Sequence, residues 1–260
     1  NGGDVTLKGA ASTSSTGGSV RLVSGKSETG LGGSIEISTS IGGQSGGVSL
    51  TTGSATSGDS GEIRIATETG QSSGTIDIVA GHSNSQNAGD VVIQAGSSDA
   101  TKGGDVSITS GASTLGQSGS INLMTETGDS SGQILISTGQ SQNGQSGNVQ
   151  LKTNPSMSGT SGSILMSTSA GSLGGGDIVL EAGENDALAT VGGSIIMTAG
   201  NGQTGSTQEG GALEIRAGSG DLATGGNINV VSGSSNAVGG SISIGSTSAE
   251  LSGSSGSIAV

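Results

Sequence analysis

A beat of about fifteen residues runs the length of this chain, and it constrains the fold more than any other feature. Each beat reads Gly-x-[Val/Ile/Leu]-x-[Leu/Ile/Val/Met]. Its first aliphatic residue, the anchor, falls at Val5, Val20, Ile35, Val48, Ile63, Ile76, Val91, Val106, Ile121, Ile134, Val149, Ile164, Ile178, Ile195, Leu213, Ile228, Ile242 and Ile258. All eighteen copies have Gly two residues before the anchor and an aliphatic residue two after it, at spacings of 13 to 18 residues. Self-similarity at a short period marks a repeat architecture, in which each unit packs only on its neighbours.

Alternation within a repeat gives the local expectation. In Gly104-Asp105-Val106-Ser107-Ile108-Thr109-Ser110-Gly111, aliphatic and polar residues alternate with the period of a half-buried strand. The predicted fold is all-β: one continuous β-solenoid over residues 1–260, with Val106, Ile108 and their equivalents facing a common core. Two strands facing each other in a coil of about thirty residues are preferred over one repeat per coil. Arg21 with Glu36, and Arg64 with Asp77, are opposite charges on consecutive repeats. They fit directly neighbouring strands instead, so both arrangements stay open.

Glycine and serine abundance would ordinarily suggest a linker. The phase argues otherwise: Val, Ile, Leu and Met total 55, and 36 of them occupy the two in-frame positions. A linker has no reason to keep parity. There is no aromatic residue and no Cys, so the aliphatic seam is thin, and backbone hydrogen-bond ladders are expected to supply much of the stability.

Beyond the second aliphatic residue the in-phase side chain becomes small or Thr. Examples are Ser24, Thr39, Thr52, Thr67, Ala80, Ala95, Ser110, Thr125, Thr138, Ala182, Ala199 and Ala217. The walls of the repeat should approach there. Gly follows at Gly25, Gly53, Gly81, Gly96, Gly111, Gly139, Gly183, Gly200, Gly218 and Gly233, where a corner with positive φ is predicted. The remainder is a Ser-, Gly-, Thr-, Asn- and Gln-rich turn. Insertions fall only in these turns, at 184–191 and 201–210.

Catalytic chemistry finds little footing. His82 is the single histidine and stands in a polar turn, so no Ser-His-Asp constellation can be assembled on it. Carboxylates are scattered rather than paired, and neither catalytic residues nor a cofactor are expected. Calcium is the one candidate ion. Acidic residues precede the anchor at Asp4, Glu62, Asp90, Asp105 and Asp177, and Asp90 and Asp105 are the positions of interest. The regular nonapeptide of calcium-binding rolls does not recur, and turn chemistry is the plainer account. Thr39, Thr52 and Thr67, then Thr125, Thr138, Thr153 and Thr168, form ladders of the kind displayed by ice-binding repeats. Their parity places them inward, however, and the outward positions are mixed. Leu135, Leu165, Val179 and Ile196 each follow an anchor directly and break the polar outer face. They suggest a lateral contact.

Net charge is −13, and without a basic stripe or stacking aromatics nucleic acid is not an expected partner. No apolar run reaches a membrane span, and no charged-then-apolar leader opens the chain. Repeats already in phase at Gly3 and still in phase at Val260 suggest a segment of something longer, with solenoid ends that would stack end to end.

Gly-Gly-Ser-Ile-x-Ile-Ser-Thr at 32–39, Gly-Gly-Asp-Val-Ser-Ile-Thr-Ser-Gly at 103–111 and the Ser-Gly-x-Ile-x-Ile pattern resemble the Gly/Ser/Thr-rich repeats of large secreted diatom and algal proteins. They are similar also to repeats of bacterial surface adhesins. The resemblance spans the chain and implies an extracellular or cell-surface structural or adhesive role, with no site residue to carry over. The expected function is thus a rod or filament of matrix, sheath or adhesive fibre that self-associates end to end or laterally. The alternative is an adhesin or a module that binds ice, mineral or polysaccharide on one face.

Overall fold

Local closure, repeat by repeat, organises the backbone. The computed structural model describes residues 2–185, 191–202, 209–247 and 256–259. Five residues past an anchor the chain enters a polar loop, and it leaves that loop at the Gly before the next anchor. In nine loops the two ends are joined by one backbone hydrogen bond. The Gly N–H at the exit donates to the carbonyl at the entrance, as in Gly104 N to Gly96 O and Gly119 N to Gly111 O, both 2.9 Å. We call this bond a clasp. Compact loops with adjoining ends are stabilised by their own local contacts.

Two compact units divide the chain, Asn1–Leu123 and Met124–Val260. In the first, clasps join Ala10 to Gly18, Gly25 to Gly33, Gly81 to Gly89, Gly96 to Gly104 and Gly111 to Gly119. In the second they join Gly183 to Gly193, Gly200 to Gly211, Gly218 to Gly226 and Gly233 to Gly240.

The predicted solenoid is not formed. Among the described residues there is no helix and no strand, so neither the all-β sheet nor the thirty-residue coil exists. Apart from the clasps, the only backbone–backbone bond among these residues is Gly174 N to Gly171 O. The physical reason lies in where the hydrogen bonds go. A strand needs a partner along its whole length, and here each repeat closes on itself at a single point between its own loop ends. Ionic contacts tell the same story. Arg64 pairs with Glu68 at 3.7 Å, four residues away, rather than with Asp77 on the next repeat. Arg216 likewise takes Glu214.

No common core forms either: no described residue is buried. The chain of 24.3 kDa exposes 26128 Å², against about 10,000 Å² for a compact protein of that mass and about 35,000 Å² for an unfolded one. Alternation nevertheless survives as a gradient. From Val20 onward the anchors are 47–65% exposed, and the second aliphatic residues range from 59 to 76%. The aliphatic residues at loop tips, such as Leu115 and Leu173, are fully exposed. The second aliphatic position of the last repeat, Val260, lies outside the described residues.

The loop entrances do approach the exits, as the tapering side chains predict. Gly9, Ala80, Ala95, Ser110, Ala182, Ala199 and Ser232, each four residues after an anchor, are among the few half-buried residues in the chain. The expected positive φ at the following Gly is absent. Positive φ occurs instead at Gly58 (93°) and Gly174 (157°), outside the corner series. The Gly with the tightest steric requirement is the exit one: a Cβ on Gly193 would sit 3.2 Å from the Ala182 Cβ and 3.2 Å from Gly183 N. Close approach of two backbone limbs, rather than a left-handed conformation, is what the repeated glycine serves.

Candidate functional site

Seven loops carry a second, smaller device. Ser12, Ser27, Ser83, Ser98, Ser113, Ser141 and Ser156 all stand seven residues after an anchor. Each Oγ accepts a hydrogen bond from the backbone N–H three residues on, at 2.9–3.1 Å. A serine hydroxyl that caps a backbone donor in this way fixes a tight turn. These serines were legible as a periodic series and went unread, because the loops look like undifferentiated Ser and Gly.

The residue four past the anchor divides the loops into two kinds. Where it is Gly, Ala or Ser, at 9, 24, 80, 95, 110, 182, 199, 217 and 232, the clasp is present. Where it is Thr, at 39, 52, 67, 125, 138, 153 and 168, no clasp forms. In those seven loops the Thr side chain faces the exit glycine. A Cβ on Gly162 would meet the Thr153 Cγ2 at 3.3 Å, and one on Gly147 would meet the Thr138 Cγ2 at 3.6 Å. Two of the threonines reach across with their hydroxyls: Thr153 Oγ1 donates to Gly162 O at 3.1 Å and Thr168 Oγ1 to Gly176 O at 2.9 Å. The Thr ladders thus occupy the mouths of loops. They line neither a core nor a flat outer face.

Other candidate residues are dispersed. His82 lies in the exposed loop that Gly81 and Gly89 clasp. Asp105 is engaged by Lys102, with Nζ 2.7 Å from Oδ2. Among the described residues no three His, Asp or Glu side chains come together where a metal ion could be held, so Asp90 and Asp105 are not gathered into a ligand set. No helix among the described residues is long and apolar enough to cross a membrane.

Aliphatic side chains do converge at one place. In the second unit, Leu151, Ile164, Met166, Ile196, Met197 and Leu213 line an open cleft of about 1010 Å³. Of the four residues suspected of a lateral contact, Ile196 alone is in this lining. Leu135, Leu165 and Val179 are exposed elsewhere on the unit. Comparison with protein-family models, curated proteins and solved structures finds no match.

Proposed function

We propose that this chain is a structural segment of an extracellular matrix, sheath or adhesive fibre, whose repeats present an aliphatic row to further copies of the same chain. The observation that carries this reading is the uncovered row itself. Every described anchor and every described second aliphatic position is exposed, in phase, along the chain. Apolar surface of that extent is driven to leave water, and a second copy offers a matching row at the same period. The resemblance to secreted Gly/Ser/Thr-rich repeats supports the extracellular setting. Contact is lateral, row against row. The end-to-end expectation rested on the cut coils of a solenoid and does not survive it.

Charge sets the conditions. A net charge of −13 opposes association between copies, and salt screens that repulsion. The test is sedimentation velocity over a dilution series at low and moderate salt. The expected result is an average mass that rises with concentration, rises further with salt, and falls in a variant carrying Ile164→Asp and Ile196→Asp in the cleft. A monomer at every concentration and salt level would overturn the proposal.

A further inference from the structure

Nine loops are closed and seven are open, and three properties besides the residue four past the anchor could account for the difference. The first is the corner glycine. Closed loops begin with Gly at all entrances but one, whereas open loops begin with Ser40, Gly53, Glu68, Glu126, Gly139, Asn154 and Ser169. The exceptions decide the matter. Ala10 is clasped without a corner glycine, while Gly53 and Gly139 have the glycine and no clasp.

The second property is length. The loops after Thr52, Thr138 and Thr153 belong to repeats of the same fifteen-residue spacing as the clasped loops after Ser24, Ala80, Ala95 and Ser110. Clasps also survive the longer spacings after Ile178 and Ile195 and the shorter one after Ile228. The third is the serine turn. Ser141 and Ser156 make it in open loops as Ser98 and Ser113 do in closed ones. None of the three sorts the loops; the side chain four past the anchor sorts all sixteen.

We infer that this side chain is a built-in selector of loop state: Gly, Ala or Ser lets the limbs meet, and the γ-methyl of Thr holds them apart. In closed loops the exit glycine lies against the entrance backbone. A Cβ on Gly119 would be 3.5 Å from Gly111 N and 3.7 Å from Gly111 O. In the seven open loops Thr atoms alone come within 4 Å of the corresponding position. A branched Cβ carries its methyl in a restricted rotamer, and there it fills the gap the clasp would need. Ser has the hydroxyl without the methyl, and it stands in closed loops at Ser24, Ser110 and Ser232. The methyl is therefore the determinant and the hydroxyl is not. The chain thereby alternates in runs: closed loops after Gly9 and Ser24, open after Thr39 to Thr67, closed after Ala80 to Ser110, open after Thr125 to Thr168, and closed again after Ala182 to Ser232.

The experiment swaps this one position in the full chain and reads amide hydrogen exchange at the exit glycines, with the through-bond coupling across the clasp as a second readout. Thr138→Ser is expected to create the Gly147-to-Gly139 bond and slow exchange at Gly147 about two- to tenfold, the range that one net hydrogen bond supports. Thr138→Val, which keeps the branched shape, should leave the loop open. Ser110→Thr should abolish the bond at Gly119 and speed its exchange by a similar factor. Closure in the Val variant, an open loop in the Ser variant, or an intact Gly119 clasp in the Thr variant would each overturn the inference. The other two variants serve as folding controls for any one of them.

Discussion

Two loops that share most of their sequence behave differently. Gly111–Gly119 and Gly139–Gly147 are both nine residues long and have in common the entrance Gly, the turn Ser at the third position, and a closing Gly-Gln-Ser-Gly. In both the serine binds the N–H three residues on, at 2.9 Å from Ser113 and 3.0 Å from Ser141. Only the first is clasped. The residue immediately before the loop is Ser110 in one and Thr138 in the other. One methyl group at the mouth thus outweighs nearly complete agreement within the loop, because a single weak bond closes it and a few tenths of an ångström decide whether that bond is made.

The largest way to break this comparison is to crowd a closed mouth from the opposite limb. Gly193→Ala places a Cβ 3.2 Å from the Ala182 Cβ and 3.3 Å from Gly183 O, so the limbs must separate and the clasp is lost, at about 1–1.5 kcal/mol. Amide exchange at residue 193 should accelerate accordingly. Gly147→Ala in the open loop meets only the Thr138 methyl at 3.6 Å, an ordinary contact, and should change little. Equal effects at both positions would mean that the mouths do not differ.

Much of this was readable in the sequence, though under another fold. The anchors at two-residue phase are real in the structure as the least exposed aliphatic residues, and the small residues after them are where the limbs meet. What misled was the step from alternation to sheet. Alternating Val106 and Ile108 specify a face that can be covered, but they do not supply the cover. Without aromatic side chains or a partner strand, Ile108 remains 66% exposed. The Thr runs were visible as ladders, and their parity correctly kept them off the outer face. Their role at a loop mouth depends on an approach of limbs across eight or nine residues, and a periodic pattern does not reveal that distance. Calcium at Asp90 and Asp105 drew on local acidity alone, and the structure gives Asp105 to Lys102 instead.

A smaller effect should be common to both kinds of loop and so sharpen the contrast. Ser113→Ala and Ser141→Ala each remove the acceptor for one backbone N–H, at about 0.5 kcal/mol. Exchange at Gly116 and Gly144 should quicken by the same modest factor, and the clasp at Gly119 should persist. If Ser113→Ala also opened the clasp, the turn rather than the mouth would govern closure.

The smallest effect concerns charge. Lys102 and Asp105 flank the clasped glycine Gly104, and both side chains are largely exposed. Asp105→Asn should therefore shift stability by no more than about 0.3 kcal/mol. Exchange at Gly104, measured at low and high salt, should be the same in the variant and the parent. A clasp that weakened with the charge removed would show that the ion pair helps to hold the mouth shut.

The central claim is that loop state follows the side chain four residues past each anchor, and one spectrum of the labelled chain tests it directly. Scalar coupling through the hydrogen bond should be detected at the amides of Gly18, Gly33, Gly89, Gly104, Gly119, Gly193, Gly211, Gly226 and Gly240. It should be missing at Gly46, Gly61, Gly74, Gly132, Gly147, Gly162 and Gly176, each of which faces a Thr. Couplings spread across both sets, or present in neither, would contradict the account.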